Sequence, residues 1–295
     1  MESLEALQGQ LDTLHELRTI VRTMKSLSTA SIRQYEQAVV ALSGYARTVE
    51  LGLQGVLRTL PPPSVPAASS RPSASLGAIV FGSDHGLCGR FNEEIADHAR
   101  RRLDALAPDP GHHRLLAVGA RAADSLERLD QACETSLSLP GSAARITQTV
   151  QTLLERVDAW EGEGIQRVWL FHHRPAGGGR YEPVVRRLLP VDLRRFSRAE
   201  SPTWPSRRLP TCHQAPEILL SRLVGQYLFV TLFRACAESL ASEHASRRSA
   251  MQAAQRNLDE RLDDVTQNFR RARQAAITAE LLDVVGGFEV IRGDG

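Results

Sequence analysis

No proline or glycine occurs between Gly225 and Gly286. One unbroken helix over those roughly 60 residues would be about 90 Å long at 1.5 Å per residue. A helix of that length cannot lie inside one compact domain. Within it, Leu262, Val265, Phe269, Ala272 and Ala276 recur at alternating steps of three and four. That spacing lays a narrow apolar stripe along one side, the seam of a coiled coil. The stripe must therefore meet another helix. The helical stretch is expected to run from about Pro216 to Val290.

The other end of the chain supplies a partner. The first 60 residues contain four glycines (Gly9, Gly44, Gly52, Gly55) and no proline. Leu4, Leu7, Leu11 and Leu14 open a stripe, and Leu17, Ile20, Met24 and Leu27 carry it on after a one-residue shift. From Tyr35 through Val39, Leu42, Ala46, Val49, Leu53 and Val56 to Leu60 the four-three alternation is strict. The shift at Leu14–Leu17 predicts a local change of supercoil. Two amphipathic helices on an ordinary core is the plainer reading, but globular helices usually run about 8 to 20 residues. The expected architecture is α/β: a long antiparallel coiled coil of N- and C-terminal helices with an inserted small Rossmann-like α/β domain. The expected boundaries are 1–60 and 216–290 for the paired helices, one discontinuous domain, and 76–190 for the insert.

Between the helices, Pro61 to Ser75 is proline-rich and reads as a linker. Leu76–Phe81 is a short strand of buried type, followed by the turn-rich Gly82–Gly89 and a helical pattern over Phe91–Leu106. Leu115–Val118, Ser136–Leu139 and Val168–His172 read as further strands. Helices are expected near Arg121–Leu129 and Ser142–Trp160. Strands alternating with helices at this spacing imply a largely parallel sheet. Tyr181–Leu189 is expected as an edge strand or hairpin, and Asp192–Ala215 as a loop returning to the last helix.

Composition narrows the function classes. The formal net charge of +2 does not call for a nucleic-acid partner, and aromatic residues at 5% leave no stacking platform for single strands. The Arg-rich stretches at 100–102, 186–187, 194–195, 207–208 and 270–273 therefore read as solvated faces or protein contacts. No window of about 18 apolar residues is evident, so no membrane-crossing helix is expected. Glu2 and Glu5 without an apolar core region argue against a signal peptide, so the protein is expected to stay where it is made. Cys88, Cys133, Cys212 and Cys236 are scattered, without C-x-x-C, and read as reduced thiols.

No stretch makes a convincing active site. The Gly82-Gly86-Gly89 loop sits between a strand and a helix, where phosphate is often bound. It lacks the G-x-G-x-x-G spacing and the Lys-Ser/Thr of a P-loop, so a structural turn is favoured over a nucleotide site. Asp84, His85 and Cys88 are too close in sequence to align as orienter, base and nucleophile, since catalytic partners usually come from distant segments. A free-standing enzyme using them, with the coiled coil as a dimerisation arm, is the first alternative reading. A purely structural scaffold is the second. His112-His113 and His172-His173 have no accompanying carboxylate or cysteine cluster and read as surface or packing residues rather than metal ligands.

Three separated stretches resemble one family. Ile20–Lys25 (I-V-R-T-M-K) is similar to an I-T-x-A-M-x segment. Ser83–Asn92 (S-D-H-G-L-C-G-R-F-N) is similar to S-D-[RK]-G-L-C-G-x-[FL]-N. The last helix carries S-E-H-A-S-R-R-S-A-M from Ser242 and R-A-R-Q-A-A-I-T-A-E-L from Arg271. In order and position these resemble the gamma subunit of F-type ATP synthases, the central stalk of the rotary motor. The resemblance implies a non-catalytic rotor with no cofactor or metal of its own. It implies partners in the alpha and beta subunits, the epsilon subunit and the c-subunit ring, with membrane contact only through that ring. The implied location is peripheral, on the cytoplasmic face of the bacterial plasma membrane, with H⁺ or Na⁺ as coupling ion. Gamma would bias the beta sites allosterically as it turns.

Residue by residue, the resemblance implies subunit coupling at Met24, Lys25, Arg247, Arg273, Gln274, Thr278 and Glu280. It marks Asp84, Gly86, Leu87, Cys88 and Gly89 as the signature loop. The tip from Leu281 to Ile291 is mostly apolar or small and suits a bearing that slides without ion pairs. There are departures: His85 replaces Arg or Lys, Arg248 stands where the family tends to be apolar, and S-L-S-T-A-S-I-R follows Met24 in place of a run like A-A-S-K-M. They point to a divergent branch, one with another coupling ion or direction. No cysteine-bearing insert of the redox-regulated chloroplast type is present, so thiol control is not expected.

Overall fold

The computed structural model describes residues 3–60, 75–106, 112–177, 179–196 and 213–293, with side chains as far as residue 285. The linker at 61–74 and most of the 192–215 loop lie outside the described residues. The chain divides into two compact units, Ser28–Arg247 and Met1–Leu27 with Arg248–Gly295. Helix α1 (Leu4–Leu57) and helix α5 (Pro216–Gly293) each contribute to both.

In the larger unit, five strands form one sheet: β1 (Leu76–Phe81), β2 (His113–Val118), β3 (Cys133–Leu137), β4 (Arg167–Gly177) and β5 (Arg180–Leu189). Their order is β3-β2-β1-β4-β5. The first four are parallel, and β5 returns antiparallel along β4 as a hairpin. Every residue of β1 is buried, as expected of a central parallel strand covered on both faces. Helices α2 (Phe91–Leu106), α3 (Ala120–Glu127) and α4 (Ile146–Gly162) connect the strands. Residues 143–145 form a 3-10 turn before α4, so that helix begins at Ile146, its first apolar position, and not at the expected Ser142.

Each face of the sheet has its own core. On one side Ile79, Phe81, Leu116 and Leu170 pack with Val150, Leu153 and Trp160 of α4, Leu232 and Cys236 of α5, and Tyr35 of α1. On the other, Ala78, Val80 and Phe171 pack with Ile95, Ala99 and Leu103 of α2 and Leu126 of α3. Val49, Leu53 and Phe196 make a third cluster with Leu223 and Tyr227. Within this unit α1 and α5 run antiparallel: the Tyr45 hydroxyl donates to Gln226 Oε1 at 2.6 Å, while Tyr35 stacks on His244 at 5.6 Å. The sequence-based expectation of no membrane-length apolar window needs correction. By length and composition alone, one 18-residue window of α5 qualifies. Only 22% of that window is buried; on the inward side of α5, Leu232 and Cys236 belong to the sheet core.

In the smaller unit the two helices also run antiparallel. Lys25 Nζ donates to Gln255 Oε1 at 2.8 Å, and Arg18 Nε lies 2.8 Å from Asp259. Leu7, Met251, Leu262 and Val265 are buried, and Phe269, Ala272 and Ala276 are partly covered, as their spacing predicts. The phase shift in α1 is not found. Leu17, Ile20 and Leu27 are 44%, 57% and 58% exposed, while Leu14, Arg18 and Val21 continue the original stripe. An apolar-only reading skips Arg18. Its aliphatic stem fills the seam position while its guanidinium reaches Asp259.

Candidate functional site: the loop after the first strand

The sheet order reverses at β1, with β2 on one side and β4 on the other. Open α/β sheets usually bind ligands at the carboxyl end of such a switch point. The loop 82–90 leaves β1 there, and its own chain takes up the groups a ligand would use. Gly82 is required: an added Cβ would sit 2.4 Å from Ala122 Cβ and 2.6 Å from Asn92 Oδ1. The Ser83 amide donates to Asn92 Oδ1 (2.9 Å), and Asn92 Nδ2 donates to Ser83 Oγ (2.8 Å). Asp84 spans two neighbours. Its Oδ1 accepts from the amide of Ala120, the first residue of α3 (3.0 Å), and its Oδ2 from the amide of Leu139 (2.8 Å).

Helix α5 closes the loop from the other side. Ser246 Oγ donates to the Cys88 carbonyl at 2.6 Å. Arg247 Nη2 donates to the carbonyls of His85 (3.2 Å) and Gly86 (3.4 Å), and its Nε also reaches Gly86 O (3.4 Å). Arg247 is paired one turn back with Glu243 at 2.7 Å, and both are buried. Burial pushes the Glu243 carboxyl up to about 7 against the pull of Arg247, and holds the His244 imidazole down at about 4. Beside the loop, Phe91, His173 and Tyr181 form an aromatic group with centroids 4.3 to 5.4 Å apart. His173 Nε2 meets the Phe91 carbonyl at 2.9 Å.

Two loop residues adopt left-handed backbone, Gly89 with φ 61° and Leu87 with φ 63°. For leucine that conformation costs roughly 1 kcal/mol or more. It turns the Leu87 side chain outward, 63% exposed, while Cys88 is buried beneath.

The geometry rules out the Asp84-His85-Cys88 arrangement as catalytic. Asp84 is occupied by two backbone amides. It is the carbonyl of His85 that lies 3.7 Å from Cys88 Sγ. The thiol contacts Ser83 and Asn92, and burial raises its pKa away from the reactive thiolate. His172 and His173 are packing residues and not surface ones. His172 pairs with Glu238 at 3.0 Å, and burial lowers both imidazoles, that of His173 to about 4. No cluster of metal-binding type occurs among the described residues.

The remaining residues singled out from sequence sit elsewhere. Met24 and Lys25 are half-buried against the facing segment of α5 in the smaller unit. Arg273, Gln274, Thr278 and Glu280 are exposed on that unit's part of α5, where Thr278 Oγ donates to the Gln274 carbonyl at 2.9 Å. Sequence reasoning missed Glu243 and Ser246 as site residues. The available signal was a Glu and an Arg four apart on one helix face.

With this geometry in place, comparison with known proteins is direct. A family model described as ATP synthase matches residues 3–291. The ATP synthase gamma chain of Nostoc punctiforme is 29% identical, over 99% of this chain and 100% of that one. That of Geotalea uraniireducens is 27% identical with the same coverage. Among solved structures, a chain of the Euglena gracilis mitochondrial ATP synthase superposes with a TM-score of 0.63 at 18% identity, covering 98% of this chain and 94% of that one. A chain from the central stalk and c-ring of the Tetrahymena thermophila enzyme gives 0.56 at 20% identity, covering 80% and 99%. The shared fold and the end-to-end family match lead to one conclusion: this chain belongs to the gamma-chain family of the ATP synthase.

Proposed function

We propose that the chain is the central-stalk rotor subunit of an F-type ATP synthase. It couples ion translocation through the membrane sector to ATP synthesis or hydrolysis on a surrounding alpha/beta ring. The observation that carries this reading is the family match from residue 3 to residue 291. The subunit makes and breaks no bond itself. Its partners are the alpha and beta subunits, the epsilon subunit and the c-ring, and it sits peripherally on the cytoplasmic face of a bacterial membrane.

The exposed residues fit a turning shaft. In the smaller unit Ile277, Leu281, Leu282, Val284 and Val285 are 46% to 65% exposed. Such a patch is a liability for a chain alone in water and a dry bearing inside an apolar sleeve. Arg273, Gln274, Thr278 and Glu280 lie along the same segment. They supply polar contacts that can break and re-form as the shaft turns.

The test is to tag the chain in its own cell, solubilise the membranes gently and assay the eluate. Nucleotide-binding alpha- and beta-type subunits with ATPase activity are expected. Recovery of the chain alone, without such partners, would overturn the assignment.

A further inference from the structure

Glu243 and Arg247 form a buried ion pair that leaves one carboxylate oxygen unmet. Each residue is only 4% exposed. Arg247 meets Glu243 Oε1, whereas Glu243 Oε2 is buried with no hydrogen-bond partner. A second carboxylate, Asp84 of the loop, acts on the same site and disfavours ionisation of Glu243. Among the described residues that act electrostatically on Glu243, Arg247 is the one cation. Tyr35 faces it from α1 with its hydroxyl turned to the Pro140 carbonyl. Cys236 lies behind it on α5, and Cys88 lies in the loop. His244, stacked on Tyr35, is kept neutral by burial. When both acids are ionised, the guanidinium meets only Glu243 Oε1 and the loop carbonyls, Asp84 stays on its two backbone amides, and Glu243 Oε2 remains unmet.

We propose that Glu243 is a proton-binding site that sets the grip of α5 on the 84–89 loop, tight when the carboxyl is protonated and loosened when it is ionised. A buried carboxylate with an unmet oxygen recovers its hydration only if the loop parts from the helix. Ionisation therefore favours parting, and a bound proton favours closure. Burial raises the closed-state carboxyl from an ordinary 4.5 to about 7. The sign follows by linkage: closure is fully supported below the ordinary value and weakens as pH rises through about 7. The contacts that yield are the guanidinium bonds to His85 O and Gly86 O, already long at 3.2 to 3.4 Å.

The test is hydrogen exchange of the 84–89 amides in the full chain at pH 5 and pH 8, corrected for intrinsic exchange. In the wild type the opening constant is expected to rise about tenfold or more across that range. In Glu243→Gln, which mimics the protonated acid, it is expected to stay flat whatever its absolute level. A rise of the same size in E243Q would assign the effect to another group and overturn the proposal, as would a flat wild type. The ¹³C resonance of the Glu243 carboxyl provides a second readout without mutation. Titration at the ordinary carboxylate value would equally overturn it.

Discussion

Asp84→Ala isolates what the signature loop does for the fold. The substitution removes the acceptor of two backbone amides, Ala120 at 3.0 Å and Leu139 at 2.8 Å, on segments 36 and 55 residues away. A hydrogen bond to a charged acceptor contributes about 1.5–3 kcal/mol net. Asp84 is half-buried, so the lower end applies to each, and the pair is worth about 3 kcal/mol. That is a large fraction of the roughly 5–15 kcal/mol by which a domain is stable. Asn retains one accepting oxygen and turns an NH₂ group toward the other amide. Asp84→Asn should therefore be the milder change if the first bond carries the weight, and never harmless. Trp160 and Trp169 both lie in the unit that holds Asp84, so urea unfolding followed by tryptophan fluorescence reads the loss directly. If D84A unfolds within about 0.5 kcal/mol of wild type, the change is an ordinary surface one, and the staple reading of Asp84 is wrong.

Other consequences are open to the same kind of measurement. Gly82→Ala forces a Cβ to within 2.4 Å of Ala122 and should cost about 1–3 kcal/mol, seen as a lower urea midpoint. His173 is fully buried and held neutral down to about 4, so its contribution is present above the ordinary 6.5 and is lost as pH falls through about 4. That window is worth about 3 kcal/mol at 1.36 kcal/mol per unit. His173→Gln should flatten the fall of the midpoint between those pH values, and an unchanged slope would exclude His173 as its source. Leu281→Ser with Leu282→Ser should leave the stability of the isolated chain within about 0.5 kcal/mol, since both side chains are exposed. In the assembled enzyme the same pair should lower ATP-driven ion pumping relative to hydrolysis.

The periodic elements were legible because their burial is one-sided or complete. The stripe at Leu262, Val265 and Phe269 and the run Leu76–Phe81 each have one way to hide their apolar surface, and the structure hides it that way. The misreading at Leu14–Leu17 arose where that logic failed. Leu17, Ile20 and Leu27 are apolar yet face outward, and Arg18 takes a position in the seam. Hydropathy alone does not separate an exposed leucine that serves a partner from one that serves the core. Glu243 and Ser246 were illegible as site residues for a different reason. Ser246 meets Cys88 158 residues away, Glu243 reaches the loop only through Arg247, and nothing in the helical run says which loop it will face.

Five of the coupling residues inferred from resemblance separate into two kinds once their surroundings are known. Arg273, Gln274, Thr278 and Glu280 are exposed and free to touch a surrounding ring. Arg247 is not, because its guanidinium is spent on Glu243 and on two loop carbonyls. If Arg247 affects coupling, it does so as a positioning residue, by fixing the loop that presents Leu87. The two kinds make different demands on substitution. Lysine has a compact ammonium in place of the extended guanidinium fork and does not reproduce the geometry that spans Glu243 and both loop carbonyls. Arg247→Lys should thus speed exchange of the 84–89 amides several-fold and disturb coupling in step. Gln274→Ala should disturb coupling and leave loop exchange unchanged. Should R247K uncouple the enzyme while those amides stay as protected as in the wild type, Arg247 acts on the ring directly, and its buried position in the free chain is not the one it works from.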